Sequence, residues 1–331
     1  MNFRVLKKTS GIVLMLGLSA GLFYLCFRRV DLRELGQAFG EVRLIFLAPA
    51  LFATFAILFL KTWQWEIFLG PSQGLRFSRL FQVVSLWLMM VNLLPFWFGE
   101  AFLLYLLGKR EGLGKTRTFS GIALDQLCEG SSLLAVFALL LFSAPLPGGM
   151  REAMRGVVVL ISVFFVVLLS LAHRYRNWEE KEPPLGFSWA RLRHHFAQWA
   201  NRLSVLRSVP KMLAAIFLSL CVKSVEAVAI FFLQKGFGLS LPFWTPFLVI
   251  AALNLALMIP LAPGNLGIFE ATVFFIYRFL GVDSALALSL AILYHLVYAL
   301  RSLEPGIFLV EVGGEGWRRQ EGVLRSVENE G

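Results

Sequence analysis

One uncharged stretch of the sequence limits the possible folds more than any other feature. Residues 236–269 are 34 in number and include no Asp, Glu, Lys, Arg or His. A helix crosses the hydrocarbon core of a bilayer, about 30 Å thick, with ~20 residues. The stretch is too long for one crossing, and Pro260, Pro263, Gly264 and Gly267 lie in its second half. Because proline and glycine break helices, the sequence predicts a broken helix at membrane depth.

The composition extends this prediction to the whole chain. Of the 331 residues, 58% are hydrophobic and 16% are charged, whereas about a quarter are charged in soluble domains. The apolar residues occur in long runs, not in the alternating pattern of an outer-membrane barrel. Lipid offers no partner to free backbone groups, so the spanning elements must be helices. We predict an all-α polytopic membrane protein in which residues 1–312 form a single membrane domain.

Eight apolar segments are candidates for membrane helices. The third contains Pro95 and Gly99, and the seventh contains the interruption at 260–267. We predict that both are broken, re-entrant hairpins that enter and leave the membrane on the same side. The eight segments are residues 10–27, 42–60, 80–107, 118–145, 156–172, 211–234, 242–280 and 284–312.

The distribution of basic residues predicts the orientation. With two re-entrant hairpins, the termini and the loops 61–79, 108–117 and 173–211 lie on one side, which holds 21 Lys and Arg residues against 8 on the other. Lys and Arg accumulate on the cytoplasmic side, so both termini are predicted to be cytoplasmic. The net charge of +10 reflects this asymmetry, and we expect no nucleic acid as a partner.

Three hydrophilic or terminal parts of the chain complete the predicted topology. The first apolar segment is followed by Arg28 and Arg29 without a small-residue cleavage site, which indicates an uncleaved helix. Loop 173–211 has apolar residues three to four apart among basic ones, the pattern of an interfacial amphipathic helix. Residues 313–331 are predicted to be a disordered tail.

The interruption at 260–267 has a counterpart earlier in the chain. Pro95 and Glu100 correspond to Pro263 and Glu270, and each pair is followed by Leu-Gly, a polar turn and a helix of small residues. In the predicted topology the two hairpins open toward opposite sides of the membrane. Similar units in opposite orientation are typical of inverted-repeat transporters.

Glu100 and Glu270 each lie beside a predicted break, where several roles are open. The carboxylate can pair with a cationic headgroup, carry a proton or bind free backbone N–H groups. The structural alternative is that each acid caps the second half-helix. Because a charge at the bilayer centre costs about 2.5–3.5 kcal/mol, two such acids favour a functional role.

Other polar residues fall at membrane depth. Asp125 and Glu129 share one helix face. Because two carboxylates there repel each other, we expect that one is protonated or neutralised by a partner. A proton-coupled step and an interhelical salt bridge are both open. His295 is either a hydrogen-bonded core residue or a pH sensor. The candidate translocation residues are Asn92, Pro95, Gly99, Glu100, Asp125, Gln126, Glu129, Pro263, Gly264, Gly267, Glu270 and His295, with Lys223, Glu226 and Arg301 as possible support.

Sequence signatures of enzymes are missing. The chain has no Walker A loop, HExxH motif or paired CxxC, so we predict no cofactor and no metal site. Cys26, Cys128 and Cys221 fall in predicted membrane segments and are expected to be buried thiols. A membrane enzyme that uses Asp125 and Glu129 with a metal is the remaining enzymatic interpretation.

Four motifs carry a resemblance to a known family: "LKTWQWEIFL" (60–69), "LLPFWFGEAFLLYLLGKREGLG" (93–114), "LDQLCEG" (124–130) and "PLAPGNLGIFEA" (260–271). Over about residues 10–312 the chain resembles the lysylphosphatidylglycerol synthase transmembrane-region family, also called flippase-like domain proteins. The family usually has Glu-Arg-x-x-Asp where this chain has Asp125, Gln126 and Glu129. Gln64 stands where an Arg often precedes the Trp, and an apolar run replaces an Arg common after the first Gly-Glu.

The resemblance implies an integral protein of a bacterial or archaeal cytoplasmic membrane that moves lipids between leaflets. Its expected partners are membrane lipids, either an anionic phospholipid or a lipid-linked glycan, and homo-oligomers are compatible with this role. Bifunctional members carry a soluble aminoacyl-transferase domain after the membrane part; this sequence does not show one, so synthesis of lysyl-lipid is not expected. The alternative is an embedded enzyme or accessory subunit in lipid or polyprenyl-glycan biosynthesis.

Overall fold

The all-α prediction is confirmed. In a computed structural model, the described ranges form helices and connecting turns without any strand. Three helices there are long and apolar enough to cross a membrane: Leu44–Leu69, Arg117–Ser143 and Val209–Gly236. Pro95, Arg301, most of loop 173–211 and the tail 313–331 lie outside the described residues. The described ranges are 17–28, 30–70, 75–94, 96–174, 208–258 and 263–300.

Eleven α-helices are numbered here in chain order within the described ranges. A 3₁₀ turn, Leu44–Phe46, leads into α3; α5 continues as a π-helix, Leu104–Arg110; and a second 3₁₀ turn, Pro263–Asn265, precedes α10. The helices are α1 Gly17–Phe27, α2 Leu32–Gly40, α3 Leu47–Leu69, α4 Phe77–Leu93, α5 Phe96–Leu103, α6 Lys115–Ser143, α7 Gly148–Arg174, α8 Val209–Gly236, α9 Thr245–Ala256, α10 Ile268–Phe279 and α11 Ser284–Leu300.

Two units of the chain have the same order of helices. A long helix, a broken hairpin and another helix follow one another as α3 to α6 and again as α8 to α11. Helices α3 and α8 pack extensively against each other and run antiparallel. Gln64, near the end of α3, donates to the Ala215 carbonyl near the start of α8 at 3.0 Å, while the Arg43 N–H before α3 donates to the Gly236 carbonyl at 2.9 Å. The leading helices of the two units therefore point in opposite directions.

The first hairpin consists of α4 and α5, which pack side by side. Helix α4 ends at Leu93 and α5 begins at Phe96, so the chain is interrupted where the sequence predicts it. Gly99 is buried, and a Cβ atom at this position would lie 2.9 Å from the Cα of Val91. Glycine at 99 thus allows the backbones of the two arms to come into contact.

The second hairpin consists of α9 and α10, which also pack against each other. Between them, Gly264 and Asn265 have φ values of 68° and 56°, in the left-handed region that glycine and asparagine adopt most readily. The 3₁₀ turn packs on α4, and a Cβ at Gly264 would lie 3.8 Å from the Asn92 carbonyl oxygen. The two interruptions are therefore neighbours in space.

Aromatic side chains fill the interior around each hairpin. Trp65 of α3 and Trp87 of α4 are buried in one apolar cluster, with ring centroids 5.5 Å apart. Phe269 and Phe274 of α10 are buried in another, together with Tyr294 of α11. Polar groups placed in such an interior need partners to offset their lost hydration.

Two predicted segment boundaries are wrong. We predicted that the second membrane segment ends at residue 60 and that 61–79 is a cytoplasmic loop, but α3 continues to Leu69 and Lys61 is 6% exposed. The lysine does not end the helix because carboxylates from α6 neutralise it within the interior. The predicted start of the fifth segment, residue 156, is also wrong, because α7 begins at Gly148. The predicted segment 211–234 agrees closely with helix Val209–Gly236.

Candidate functional site: a buried chain of ion pairs beside two helix breaks

Five charged side chains from α3, α6 and α8 form an ion-pair chain in the interior. Lys61 Nζ lies 2.9 Å from Asp125 Oδ1 and 2.5 Å from Glu129 Oε1. Lys223 Nζ lies 2.9 Å from Glu129 Oε2 and 3.7 Å from Glu226 Oε2. Charges alternate along this chain from Asp125 to Glu226, and Glu129 binds a different lysine with each oxygen.

Helix geometry explains why these side chains meet. Asp125 and Glu129 are four residues apart on α6 and so project from one face. Lys61 and Lys223 are each the fifteenth residue of their helix, α3 and α8. Because these two helices are antiparallel and in contact, positions near their middles come together. Both lysines therefore reach Glu129 from equivalent positions in the two units.

The ion-pair chain extends into the second unit. Lys223 Nζ donates to Asn254 Oδ1 of α9 at 3.3 Å, and Asn254 in turn donates to the Ile250 carbonyl at 2.8 Å. The Tyr294 hydroxyl of α11 donates to Glu226 Oε1 at 3.3 Å. Lys223, Asp125 and Lys61 are each almost fully buried. Their charged forms are therefore stabilised by the ion pairs rather than by hydration.

Glu100 of α5 lies near the opposite end of the ion-pair chain. The charged groups that act on it most strongly are Asp125 and Lys61. Its Oε2 atom is buried and has no hydrogen-bond partner among the described residues. The site near the first break therefore contains a carboxyl group that the ion-pair chain does not bind.

Glu270, beside the second break, has a different environment. Its Oε2 accepts a hydrogen bond of 2.7 Å from the Gly267 N–H, and its Oε1 lies 2.7 Å from His295 Nδ1. The Phe269 ring stacks on the imidazole with centroids 4.3 Å apart. Glu270 therefore caps α10, as the structural alternative predicted, and also links the break to α11.

Helix α1 covers this second break. Ser19 Oγ donates to the Leu266 carbonyl at 2.6 Å. Gly267 has a φ of 87°, and a Cβ there would lie 2.7 Å from the Ser19 carbonyl oxygen. The break is thus held between α1 on one side and the Glu270–His295 pair on the other.

Replacing Glu270 tests its capping role. We expect Glu270→Ala to lower the free energy of unfolding by about 1 kcal/mol, the usual effect of losing a cap. Glu270→Gln keeps a side-chain oxygen for the Gly267 N–H and should lose less. Glu34→Ala, which removes an exposed acid from the first turn of α2, is the matched control, with a change of a few tenths of a kcal/mol. Thermal unfolding in detergent measures the differences, and equal losses for the Gln and Ala variants would contradict the capping role.

Not every candidate joins the ion-pair chain. Gln126 follows Asp125 on α6 but is exposed, because it does not lie on the helix face that carries Asp125 and Glu129. Asn92 is buried and its carbonyl lies at the contact between the two breaks. Sequence reasoning missed Lys61 altogether, although its position in α3 matches that of Lys223 in α8. That equivalence is the signal that could have identified it.

The described residues include all three cysteines. All three cysteines are free; Cys26 and Cys128 are buried and Cys221 is half-buried. Within the described ranges, no group of three or more His, Cys, Asp or Glu side chains is arranged to hold a metal ion.

Comparison with known families relates this site to other proteins. A family profile described as lysylphosphatidylglycerol synthase TM region matches residues 12–303, which is most of the chain. The chain belongs to this family. The match to the lysylphosphatidylglycerol synthase TM region spans both broken hairpins and the whole ion-pair chain, and it supports a membrane protein of flippase-like type. A search of curated proteins finds no significant match.

Proposed function

We propose that the protein transports a lipid between membrane leaflets, and that the polar headgroup passes along the ion-pair chain beside the two helix breaks. The acyl chains remain in the bilayer during this movement. The substrate is a phospholipid or a lipid-linked glycan, and no chemical reaction is needed. The observation that carries the proposal is the ion-pair chain of five charged side chains next to the junction of two interrupted helices.

The energetics of buried ion pairs support a functional role for these residues. Replacing a buried ion pair by well-packed apolar residues is often neutral or stabilising, so stability alone gives little reason to place five charges in an apolar interior. Glu129 connects two lysines from two different units. A headgroup phosphate can replace the Glu129 carboxylate between these two lysines. The lysines then stay neutralised while the headgroup passes.

The helix breaks supply the rest of a polar route. Interrupted membrane helices leave backbone groups that bind ions and headgroups in transporters built from inverted repeats. Here the turn at Pro263–Asn265 packs on α4 close to Asn92, so both breaks open toward one region. The antiparallel packing of α3 and α8 supports opposite orientations for the two hairpins, which we propose are re-entrant.

The proposed location is the cytoplasmic membrane of a bacterium or archaeon, with both termini on the cytoplasmic side. Moving Lys61 from the predicted loop into α3 changes the count of basic residues on the inner side from 21 to 20, against 8 on the outer side. The direction of the asymmetry is unchanged, and it agrees with the general bias of Lys and Arg toward the cytoplasm.

A leaflet-exchange assay tests the proposed transport. The full chain is reconstituted into vesicles that contain a fluorescent anionic phospholipid, zwitterionic phospholipid or polyprenyl-linked sugar, and a membrane-impermeant quencher reports the outer leaflet. We expect faster exchange than in protein-free vesicles for at least one lipid. Glu129→Gln should slow this exchange by about tenfold, which corresponds to about 1.4 kcal/mol in the barrier.

Glu66→Gln is the matched control, because Glu66 is an exposed acid on α3. It should exchange lipid as fast as the wild type. Asn254→Ala, which removes an uncharged contact of Lys223, provides a milder second variant should Glu129→Gln fold poorly. No acceleration by the wild type for any of the three lipids, or equal rates for Glu129→Gln and Glu66→Gln, would reject the proposal.

A further inference from the structure

The ion-pair chain contains more acids than bases. Among the described residues, Lys61 and Lys223 neutralise two of the three carboxylates of Asp125, Glu129 and Glu226, which leaves one negative charge. If Glu100 were also ionised, two uncompensated negative charges would lie in an interior of low polarity. Such an excess is costly unless a proton or another cation joins the site.

The described residues around Glu100 offer no cation that is free to neutralise it. Lys61 is the nearby cation, and it already has two carboxylates at 2.9 and 2.5 Å. Helix α4, packed against α5, contributes Arg79, which pairs with Glu111 at 3.0 Å. The sequence of the second break, residues 257–267, contains no titratable side chain.

Glu100 is half-buried, and the burial of one of its two carboxyl oxygens limits what can bind to that atom. Glu100 Oε2 has less than 1 Å² of accessible surface and no hydrogen-bond partner in the described part of the chain. A metal ion or a headgroup amine needs open space at the oxygen to make its contact. A proton needs none, because it bonds to the oxygen itself.

We propose that Glu100 is a proton-binding site: its side chain is a neutral carboxylic acid in the described conformation and exchanges its proton with water when the site opens. The proton that Glu100 releases is accepted by water, and the proton that it takes up comes from water. Neither step needs another reactant. The ligand of this site is thus a proton that comes from the aqueous phase.

Proton exchange at Glu100 would change the ion-pair chain, and this coupling rests on the proposed transport function. When the proton leaves, a new carboxylate lies near Asp125 and competes for Lys61. That competition weakens the contact between Lys61 and Glu129, which links α3 to α6. Proton uptake removes the competing charge and restores the contact. Deprotonation of Glu100 therefore favours opening of the headgroup route, and opening of the route favours deprotonation of Glu100.

Infrared difference spectroscopy tests the proton site without any transport. The full-length protein in lipid nanodiscs is titrated with base, and the C=O stretching band of protonated carboxylic acids is followed. We expect a band that disappears at alkaline pH in the wild type and in Glu66→Gln, and that is missing in Glu100→Gln. Glu100→Asp keeps the acid and should shift the band. A band that persists in Glu100→Gln, or that the wild type lacks, would overturn the proposal.

Exchange in vesicles at different pH values tests the coupling. The wild-type rate should change with pH by up to about tenfold per unit, the limit for one titrating proton, and the rate of Glu100→Gln should be independent of pH. A wild-type rate that does not vary with pH would overturn the coupling. If the wild type exchanges none of the lipids, the proposed transport fails, and the infrared band alone decides the proton site.

Discussion

Replacing Lys61 with methionine is expected to lower the free energy of unfolding by about 3–5 kcal/mol, the typical effect of removing one partner from a buried ion pair. Lys61 binds both Asp125 and Glu129. Methionine has a similar volume but leaves Asp125 without its cation in the interior. Glu129 retains Lys223 at 2.9 Å, so most of the loss should come from Asp125.

A second substitution shows how much of the lost stability comes from the uncompensated carboxylate and how much from the absence of the lysine side chain. In Lys61→Met/Asp125→Asn the uncompensated carboxylate is removed, and we expect much of the stability to return, because well-packed neutral residues replace buried ion pairs at little cost. Unfolding by sodium dodecyl sulfate in mixed micelles, followed by tryptophan fluorescence, measures the free energies.

Lys211→Met provides the matched control for this series. Lys211 is exposed at the start of α8, and surface substitutions usually change stability by less than about 0.5 kcal/mol. A Lys61→Met variant that is as stable as Lys211→Met would show that the ion-pair chain contributes nothing to the fold. A double variant no more stable than Lys61→Met would show that the cost does not arise from Asp125.

The sequence was sufficient to predict the class of fold and the places where membrane helices break. Both depend on local chemistry: long apolar runs require helices in lipid, and prolines and glycines interrupt them. The buried position of Lys61 depends instead on a carboxylate 64 residues away in the chain. A lysine at the end of an apolar run is usually at the membrane surface, and only tertiary packing could show otherwise.

The different roles of Glu100 and Glu270 could not be predicted from their similar sequence positions. Helix α10 begins at Ile268, so Glu270 lies in the first turn and reaches the Gly267 N–H. Helix α5 begins earlier relative to its acid, at Phe96, and Glu100 lies beyond the first turn. A shift of two residues in a helix start, which sequence reasoning rarely resolves, thus decides whether the acid caps its helix.

Gln126 was predicted as a site residue because it stands at the arginine position of the family's Glu-Arg-x-x-Asp motif. Successive residues of an α-helix point about 100° apart, whereas Asp125 and Glu129 share a face. The exposure of Gln126 therefore follows from helix geometry and could have been predicted. By contrast, Asn254 contacts Lys223 across two helices, and its sequence position does not reveal that contact.

Replacing Gly267 with alanine is the second substitution for which we expect a large effect, about 4 kcal/mol lost from the free energy of unfolding. About 2 kcal/mol arises because φ is 87°, a conformation that strains residues with a side chain. About 2 kcal/mol more arises from overpacking, since the new Cβ would lie 2.7 Å from the carbonyl oxygen and 2.8 Å from the Oγ of Ser19.

Gly281→Ala separates these two contributions. Gly281 has a φ of 82° but nothing within 4 Å of an added Cβ, so its replacement should cost only the conformational strain, about 2 kcal/mol. Adding Ser19→Gly to Gly267→Ala removes the contact with Oγ but not the contact with the carbonyl oxygen. It also removes the hydrogen bond from Ser19 to the Leu266 carbonyl, so it should restore only part of the stability. Unfolding in mixed micelles measures all three variants. Equal losses for Gly267→Ala and Gly281→Ala would show that the contact between α1 and the second break does not limit the side chain at position 267. A larger loss for Gly267→Ala would show that close packing of α1 requires glycine at this position.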